Sequence, residues 1–221
     1  VTIGTLGNAT DFGNLTTTAQ RSGGVSDMSN DKGIIGGGYR NGSLSTVIDY
    51  FAIATTGNAS AFGNTTQARS WIAGCWSDVR GCFCNGYTST SINTIDYITM
   101  ATGGTATDFG DSTKASYSSS ATTNLTRGVI CGGYEENGSL RHNVISYITI
   151  ATTGNATDFG DLMEVSQTIF CGGDLKDKAV LGGGAGNQDR IQTFTISTTG
   201  NATNFGSMVN DKHDGCTVNG S

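Results

Sequence analysis

Two histidines, six cysteines and a scatter of carboxylates are the groups in this 221-residue chain that could hold a metal or move a proton. His142 and His213 lie in separate segments and share no motif, so neither a metal set nor a histidine base is expected. The cysteines include no CxxC pair, and the CxC of Cys82 and Cys84 has no histidine nearby to complete a zinc site. Cys75, Cys171 and Cys216 fall at one position of an internal repeat. Cys84 and Cys131 share another, which is Gly36 and Gly182 in other copies. Small buried thiols standing in for glycine or alanine give that pattern, with disulfides and metal binding as the alternatives. Asp11, Asp108 and Asp158 recur in the motif TDFG, followed by Asp111 and Asp161. Calcium takes such oxygens. Ala61 and Asn204 occupy the same place in other copies, however, so the repeated aspartate reads first as a turn-supporting acceptor. Asp49 and Asp96, in the runs VIDY and TIDY, give way to Ser146 and Gln192 and are expected to line one face of each unit with short polar side chains. A glycosidase needs two carboxyl groups roughly 5–10 Å apart around a pocket. Glu135 and Glu136 are adjacent on one loop, a poor start for that geometry. The sequence therefore points to no catalytic residue, no metal site and no cofactor.

Candidates for binding are the segments that differ between copies, because loops on a rigid scaffold carry recognition. The variable loops are RNGSLS (40–45), TSTSIN (88–93), EENGSLRHN (135–143) and GNQD (186–189). One carries Glu135, Glu136, Arg141 and His142, and a second variable region carries Trp71, Trp76 and Arg80. Aromatic rings beside polar groups suit sugars, since a ring stacks on a pyranose face while amides and charges bond to hydroxyls. The bland alternative for Trp71 and Trp76 is core packing.

The elements that must position these residues are set by a repeat. Phe12, Phe62, Phe109, Phe159 and Phe205 follow one another at 50, 47, 50 and 46 residues, a period in the range of propeller blades. The repeat units run over about 15–63, 64–110, 111–160 and 161–206, each with four parts in order. A weakly patterned stretch comes first, such as QARSWIAGCWS (67–77). A glycine-ended run follows, as in KGIIGGGY (32–39), RGVICGGY (127–134) and KAVLGGGA (178–185). Then comes an apolar, β-branched run, as in VIDYFAIA (47–54), TIDYITMA (94–101), VISYITIA (144–151) and IQTFTIS (191–197), and last the segment TGNATDFG. Each part reads as a strand, because β-branched residues and glycine dominate and no stretch has a 3.6-residue apolar period. The third run has little polar interruption, as suits a strand covered on both faces. The Gly-Asn of TTGN is expected to supply left-handed backbone for a tight hairpin. Four-stranded sheets that cannot bury both faces alone are satisfied by stacking around an axis, which makes an all-β propeller.

The unit of GG-Y, IDYITMA and TTGNATDFGDL, followed by a basic residue such as Arg69, resembles the kelch repeat across essentially the whole chain. The phenylalanine of TDFG stands where kelch blades usually carry tryptophan. The resemblance implies a kelch-like β-propeller of four-stranded blades. Kelch relatives that oxidise sugars use a copper set of histidines and tyrosines, for which this chain has too few histidines. The wording of residues 145–162, ISYITIATTGNATDFGDL, is also similar to repeats in structural proteins of marine bacteriophages, which implies a virion or tail-associated role. Four complete blades are expected. Residues 1–14 and 207–221 would either combine into a composite fifth blade that closes the ring or belong to a longer array, closed or open.

Charged residues are 14% of the chain, with 34 glycines and no proline, so the polar surface must come from Thr, Ser, Asn and Gly. A net charge of −6 with no Lys/Arg cluster argues against nucleic acid as a partner. No apolar run of about 18 residues occurs, so no membrane-spanning helix is expected. Ten N-x-S/T triplets, at Asn8, Asn14, Asn41, Asn58, Asn64, Asn124, Asn137, Asn155, Asn201 and Asn219, read mainly as turn chemistry. The expected function is a non-enzymatic structural or adhesive module of a virion or extracellular surface, with other subunits of an assembly and host-surface glycans as partners. A lectin acting through the variable loops is the alternative, and a glycan-active enzyme is the weakest reading.

Overall fold

The computed structural model describes residues 8–27, 31–173, 177–185 and 189–210. Within them the chain is all-β, and most of it forms four antiparallel sheets of four strands whose spatial order is their sequence order. Sheet 1 is built from Gly23–Asp27, Lys32–Gly36, Val47–Ala52 and Ser60–Asn64. Sheet 2 comprises Ala73–Trp76, Arg80–Tyr87, Ser91–Thr99 and Thr107–Ser116. Sheet 3 comprises Ser120–Thr123, Arg127–Glu135, Leu140–Thr149 and Thr157–Ser166, and sheet 4 Phe170–Gly173, Lys178–Gly182, Arg190–Thr195 and Thr203–Ser207. A minor three-stranded sheet joins Ala19–Gln20, Tyr39–Arg40 and Ser43–Leu44. The first strands of consecutive sheets stand side by side, an arrangement consistent with a β-propeller-like fold. The fourth strands of sheets 2 and 3 run on to Ser116 and Ser166, six residues past the unit boundaries expected at 110 and 160.

Three cores lie between successive sheets, and the third strands explain why their runs are apolar throughout. Ile95 of sheet 2 enters the core shared with sheet 3, whereas Ile98 enters the one shared with sheet 1. Ile145 and Ile148 of sheet 3 divide in the same way between its two neighbours. Phe62, Phe109 and Phe159 each belong to or pack on one of these cores. Phe62, Phe109 and Phe159 meet Tyr50, Tyr97 and Tyr147 edge-on at 5.8, 5.9 and 6.0 Å. A basic residue caps the other side of each tyrosine: Lys32 at 5.9 Å, Arg80 at 4.4 Å and Arg127 at 4.4 Å from the ring centroid. The same cations donate to carbonyls of the following sheet, at Met100, Ile150 and Ile196.

The motif TGNATDFG is the joint between repeats. The Gly154 N–H donates to the Phe109 carbonyl (2.7 Å), and the Ala156 N–H to the Asp111 carbonyl (2.7 Å). The Asn155 side chain accepts from the Asp111 N–H (3.0 Å). The same bonds link Gly200, Asn201 and Ala202 to Phe159 and Asp161, and Gly57, Asn58 and Ala59 to Phe12 and Asn14. Residues 8–18 thus lie on sheet 1 as the fourth strand of a preceding repeat lies on the next. This corrects the expected role of asparagine. Asn58, Asn155 and Asn201 are not left-handed, and their side chains bind the neighbouring repeat instead. Glycine at the end of TDFG is demanded by the same joint: Gly160 has φ +146°, and a Cβ there would lie 2.5 Å from the Gly200 carbonyl oxygen.

Asp49 and Asp96 also serve the joints. Both are fully buried. Asp49 accepts from Thr16 N–H and Oγ1, and Asp96 from Thr66 N–H and Oγ1, so each holds the chain arriving from the previous repeat. Ser146 and Gln192 do likewise, with Thr113 Oγ1 and the Met163 N–H. The aspartates are neutralised by buried arginines, Arg40 at 2.6 Å and Arg69 at 3.0 Å. The expectation of polar side chains lining a face is therefore replaced by buried inter-sheet anchors. Burial lowers the Arg69 pKa from its ordinary value, and Asp96 opposes that shift.

The expected composite fifth blade falls largely on residues 1–7 and 211–221, which lie outside the described residues, as do His213 and Cys216. At its described edge Phe205 of sheet 4 is 62% exposed, and Phe12 packs against Phe51 at 5.8 Å.

Two stability measurements follow. Gly160→Ala is expected to cost about 3 kcal/mol in urea unfolding through backbone strain and overpacking. The equivalent Gly206→Ala, whose added methyl meets nothing, is expected to be within about 0.5 kcal/mol of the parent. Asp96→Asn leaves the Arg69 charge buried and uncompensated, and is expected to cost about 3–5 kcal/mol in the same assay.

Candidate functional site

One end of the four-sheet array carries an unusual backbone feature. The residue two positions before each first strand is left-handed although none is glycine: Arg21 (φ 60°), Trp71 (φ 59°), Ser118 (φ 55°) and Thr168 (φ 53°). Such a conformation costs a non-glycine residue roughly 1–2 kcal/mol and is least tolerated by β-branched threonine. It is imposed by pairing on both sides. The residues just before, Ser70 and Tyr117, exchange backbone bonds with Tyr87 and Tyr134, Gln20 pairs with Tyr39, and Gln167 accepts from Ala185. The left-handed residues are then linked to one another. The Trp71 N–H donates to Arg21 C=O (2.7 Å), Ser118 to Trp71 (3.4 Å), and Thr168 to Ser118 (2.9 Å). Their side chains, with Ser22, Ile72, Ser119, Ser120 and Ile169, line a shared depression of about 530 Å³ to which all four repeats contribute.

Arg21 and Trp71 also border a second cleft of about 290 Å³, completed by Tyr39, Leu44, Ser70, Tyr87, Thr88, Tyr117 and Glu136. Its floor is aromatic. Tyr117 is the hub, with ring centroids 6.2 Å from Trp71, 5.1 Å from Tyr87 and 5.4 Å from Tyr134. The Arg21 guanidinium lies 4.5 Å above the Trp71 ring, and the Tyr117 hydroxyl donates to Glu136 Oε2 at 3.0 Å. Burial first, and the Glu136 carboxylate second, push the Tyr117 phenol up to about 12. The cleft thus combines aromatic rings with one cation, one carboxylate and several hydroxyls.

Of the residues singled out in the sequence, Trp71 and Glu136 meet in this cleft. Glu135 is half-buried in the adjoining strand, with its backbone opposite Leu140. Arg141 is exposed, opposite Tyr134. His142 lies opposite Gly133, and neither ring nitrogen has a hydrogen-bond partner. Burial and Lys114 lower its pKa against the opposing pull of Glu135. Trp76 packs against the core between sheets 1 and 2, and Arg80 is engaged between Tyr97 and the Ile150 carbonyl. Sequence reasoning passed over Arg21, Tyr39, Tyr87 and Tyr117. A signal existed for two of them, because a tyrosine follows the glycine-ended run at 39, 87 and 134. Tyr117 has no counterpart in the other repeats, and no pattern marked it.

Cys75, Cys82, Cys84 and Cys131 are fully buried, Cys171 partly so, and none of the five is in a disulfide. Hydrogen bonding among Cys75, Cys82 and Cys84, together with burial, pushes the Cys75 thiol well above its ordinary value. Among the described residues no three His, Cys, Asp or Glu side chains are grouped to hold a metal ion.

A phenol whose folded-state pKa is raised contributes stability that is present below about pH 10, its unfolded value, and is lost as pH rises toward 12. Ultraviolet titration is expected to show one tyrosine ionising near 12, absent in Tyr117→Phe and moved back toward 10 in Glu136→Gln. Against known proteins, no family model matches the chain, and the search of curated proteins finds no relative.

Proposed function

We propose that the four sheets are blades of a kelch-like β-propeller and that the chain is a non-enzymatic adhesion module that binds a glycan in the Trp71–Tyr117 cleft. The observation that carries this reading is the cleft itself, where rings from three repeats converge beside one cation and one carboxylate. Four first strands arranged in series and a depression shared by all four repeats support the propeller. Among the described residues Glu136 is the single carboxylate lining the cleft, whereas glycosidic hydrolysis by the usual route needs a pair. Binding without turnover is therefore the better reading. A virion or cell-surface setting, which the resemblance of residues 145–162 implies, supplies glycan-bearing surfaces and other structural subunits as partners.

The test uses the two tryptophans. With a panel of neutral and acidic oligosaccharides, tryptophan fluorescence is expected to change on binding of at least one member. Trp71→Ala is expected to weaken that binding at least about tenfold, a loss of about 1.4 kcal/mol. Trp76→Phe, which alters the packed seam, is expected to bind as the parent does. A panel with no binder, or binding indifferent to Trp71, would sink the reading.

A further inference from the structure

The joint between repeats is formed at Phe12, Phe62, Phe109 and Phe159, and half of a fifth has no partner among the described residues. At Phe205 the fourth strand of sheet 4 offers the same groups, namely the Phe205 carbonyl and the Ser207 N–H and carbonyl. Phe205 is 62% exposed where Phe109 and Phe159 are 2%. Val180 is 36% exposed where its counterparts Ile34, Cys82 and Val129 are at most 1%. Gly206 has open space where a Cβ on Gly63, Gly110 or Gly160 would strike the carbonyl of the next repeat. The complementary half is also present on the chain. Asn8, Ala9 and Thr10 repeat the wording of Asn155, Ala156 and Thr157, and they too are exposed.

We propose that these two halves pair between molecules, so that Asn8–Ala9 of one copy docks on Phe205–Ser207 of another. In that joint the Asn8 side chain accepts from the Ser207 N–H, the Ala9 N–H donates to the Ser207 carbonyl, and Ala9 covers Phe205 as Ala156 covers Phe109. Continuity with the internal joints identifies the occupant, since the Gly-Asn-Ala turns at 57–59, 154–156 and 200–202 supply both the amide donor and the asparagine acceptor at that spacing. A second copy carries such a turn, exposed, at Asn8–Ala9. The contact is heterologous, one end on the other, and so builds rings or filaments rather than a two-fold dimer. It rests on the joints alone and does not depend on the glycan reading.

Two blocked variants test it. Gly206→Val places a side chain where the incoming turn must approach, and Ala9→Glu places a charge against Phe205. Sedimentation velocity over a hundredfold concentration range is expected to show the parent forming species larger than dimers. Each variant alone is expected to remain monomeric, with unchanged thermal stability. Mixing the two variants is expected to give dimers and nothing larger, because each retains one good end. Three results would overturn the proposal: a parent that is monomeric throughout, variants that lose stability while the parent's mass stays monomeric (as closure within one chain requires), or variants that associate as the parent does.

Discussion

The repeat-to-repeat joint at TGNATDFG is the constraint on which the rest of this structure depends. A four-stranded sheet has two faces and two edges, and these sheets solve the faces by packing on one another. The fourth strand would still present an unpaired edge, the usual site of unwanted pairing. Here the turn of the following repeat covers it with two amide donors and, in three of the four joints, an asparagine acceptor. Close backbone approach makes the bonds possible, and glycine makes the approach possible. That chain of requirements explains why the ten letters recur almost unchanged while other parts of the unit drift.

Because the joints hold one end of each unit, the opposite end is free to vary. The left-handed residues at 21, 71, 118 and 168 show how this freedom is used. Their backbone is fixed by bonds on both sides, so the side chain can be arginine, tryptophan, serine or threonine without loss of geometry. Each such residue carries a conformational cost that the surrounding pairing offsets. The result is a constant frame presenting four different side chains around one depression, with the aromatic cleft grown on the side where Trp71 and Tyr117 fall.

Much of the frame was legible in the sequence because it follows from period and composition. The phenylalanine spacing marked the repeats, and the third runs marked strands buried on both faces. What the sequence hid was the partner of each group. Asn155 is a good turn residue, and nothing in its neighbours reveals that it bonds 44 residues back to Asp111. Arg80 beside Trp76 reads as a binding patch until Tyr97 and the Ile150 carbonyl are seen to occupy it. Tyr117 belongs to the site only because a backbone bridge to Tyr134 brings it there. Site residues drawn from three repeats by long-range contacts leave no local signature.

The buried aspartates show how far the repeats can diverge at a fixed task. All four copies must bind the chain arriving from the previous repeat at the positions of Asp49, Asp96, Ser146 and Gln192. Two do it with a carboxylate, and a buried carboxylate needs a counter-charge. The arginines that supply it come from different places in the unit: Arg40 follows the tyrosine after the glycine-ended run, whereas Arg69 precedes the left-handed residue. The other two copies use neutral groups, Ser146 with the Thr113 hydroxyl and Gln192 with the Met163 amide, and carry no arginine at either place. At these four positions charge therefore appears in matched pairs or not at all. The pairing is set by the cost of an isolated buried ion rather than by the repeat's wording, which is why two unrelated sequence positions converge on one chemical solution.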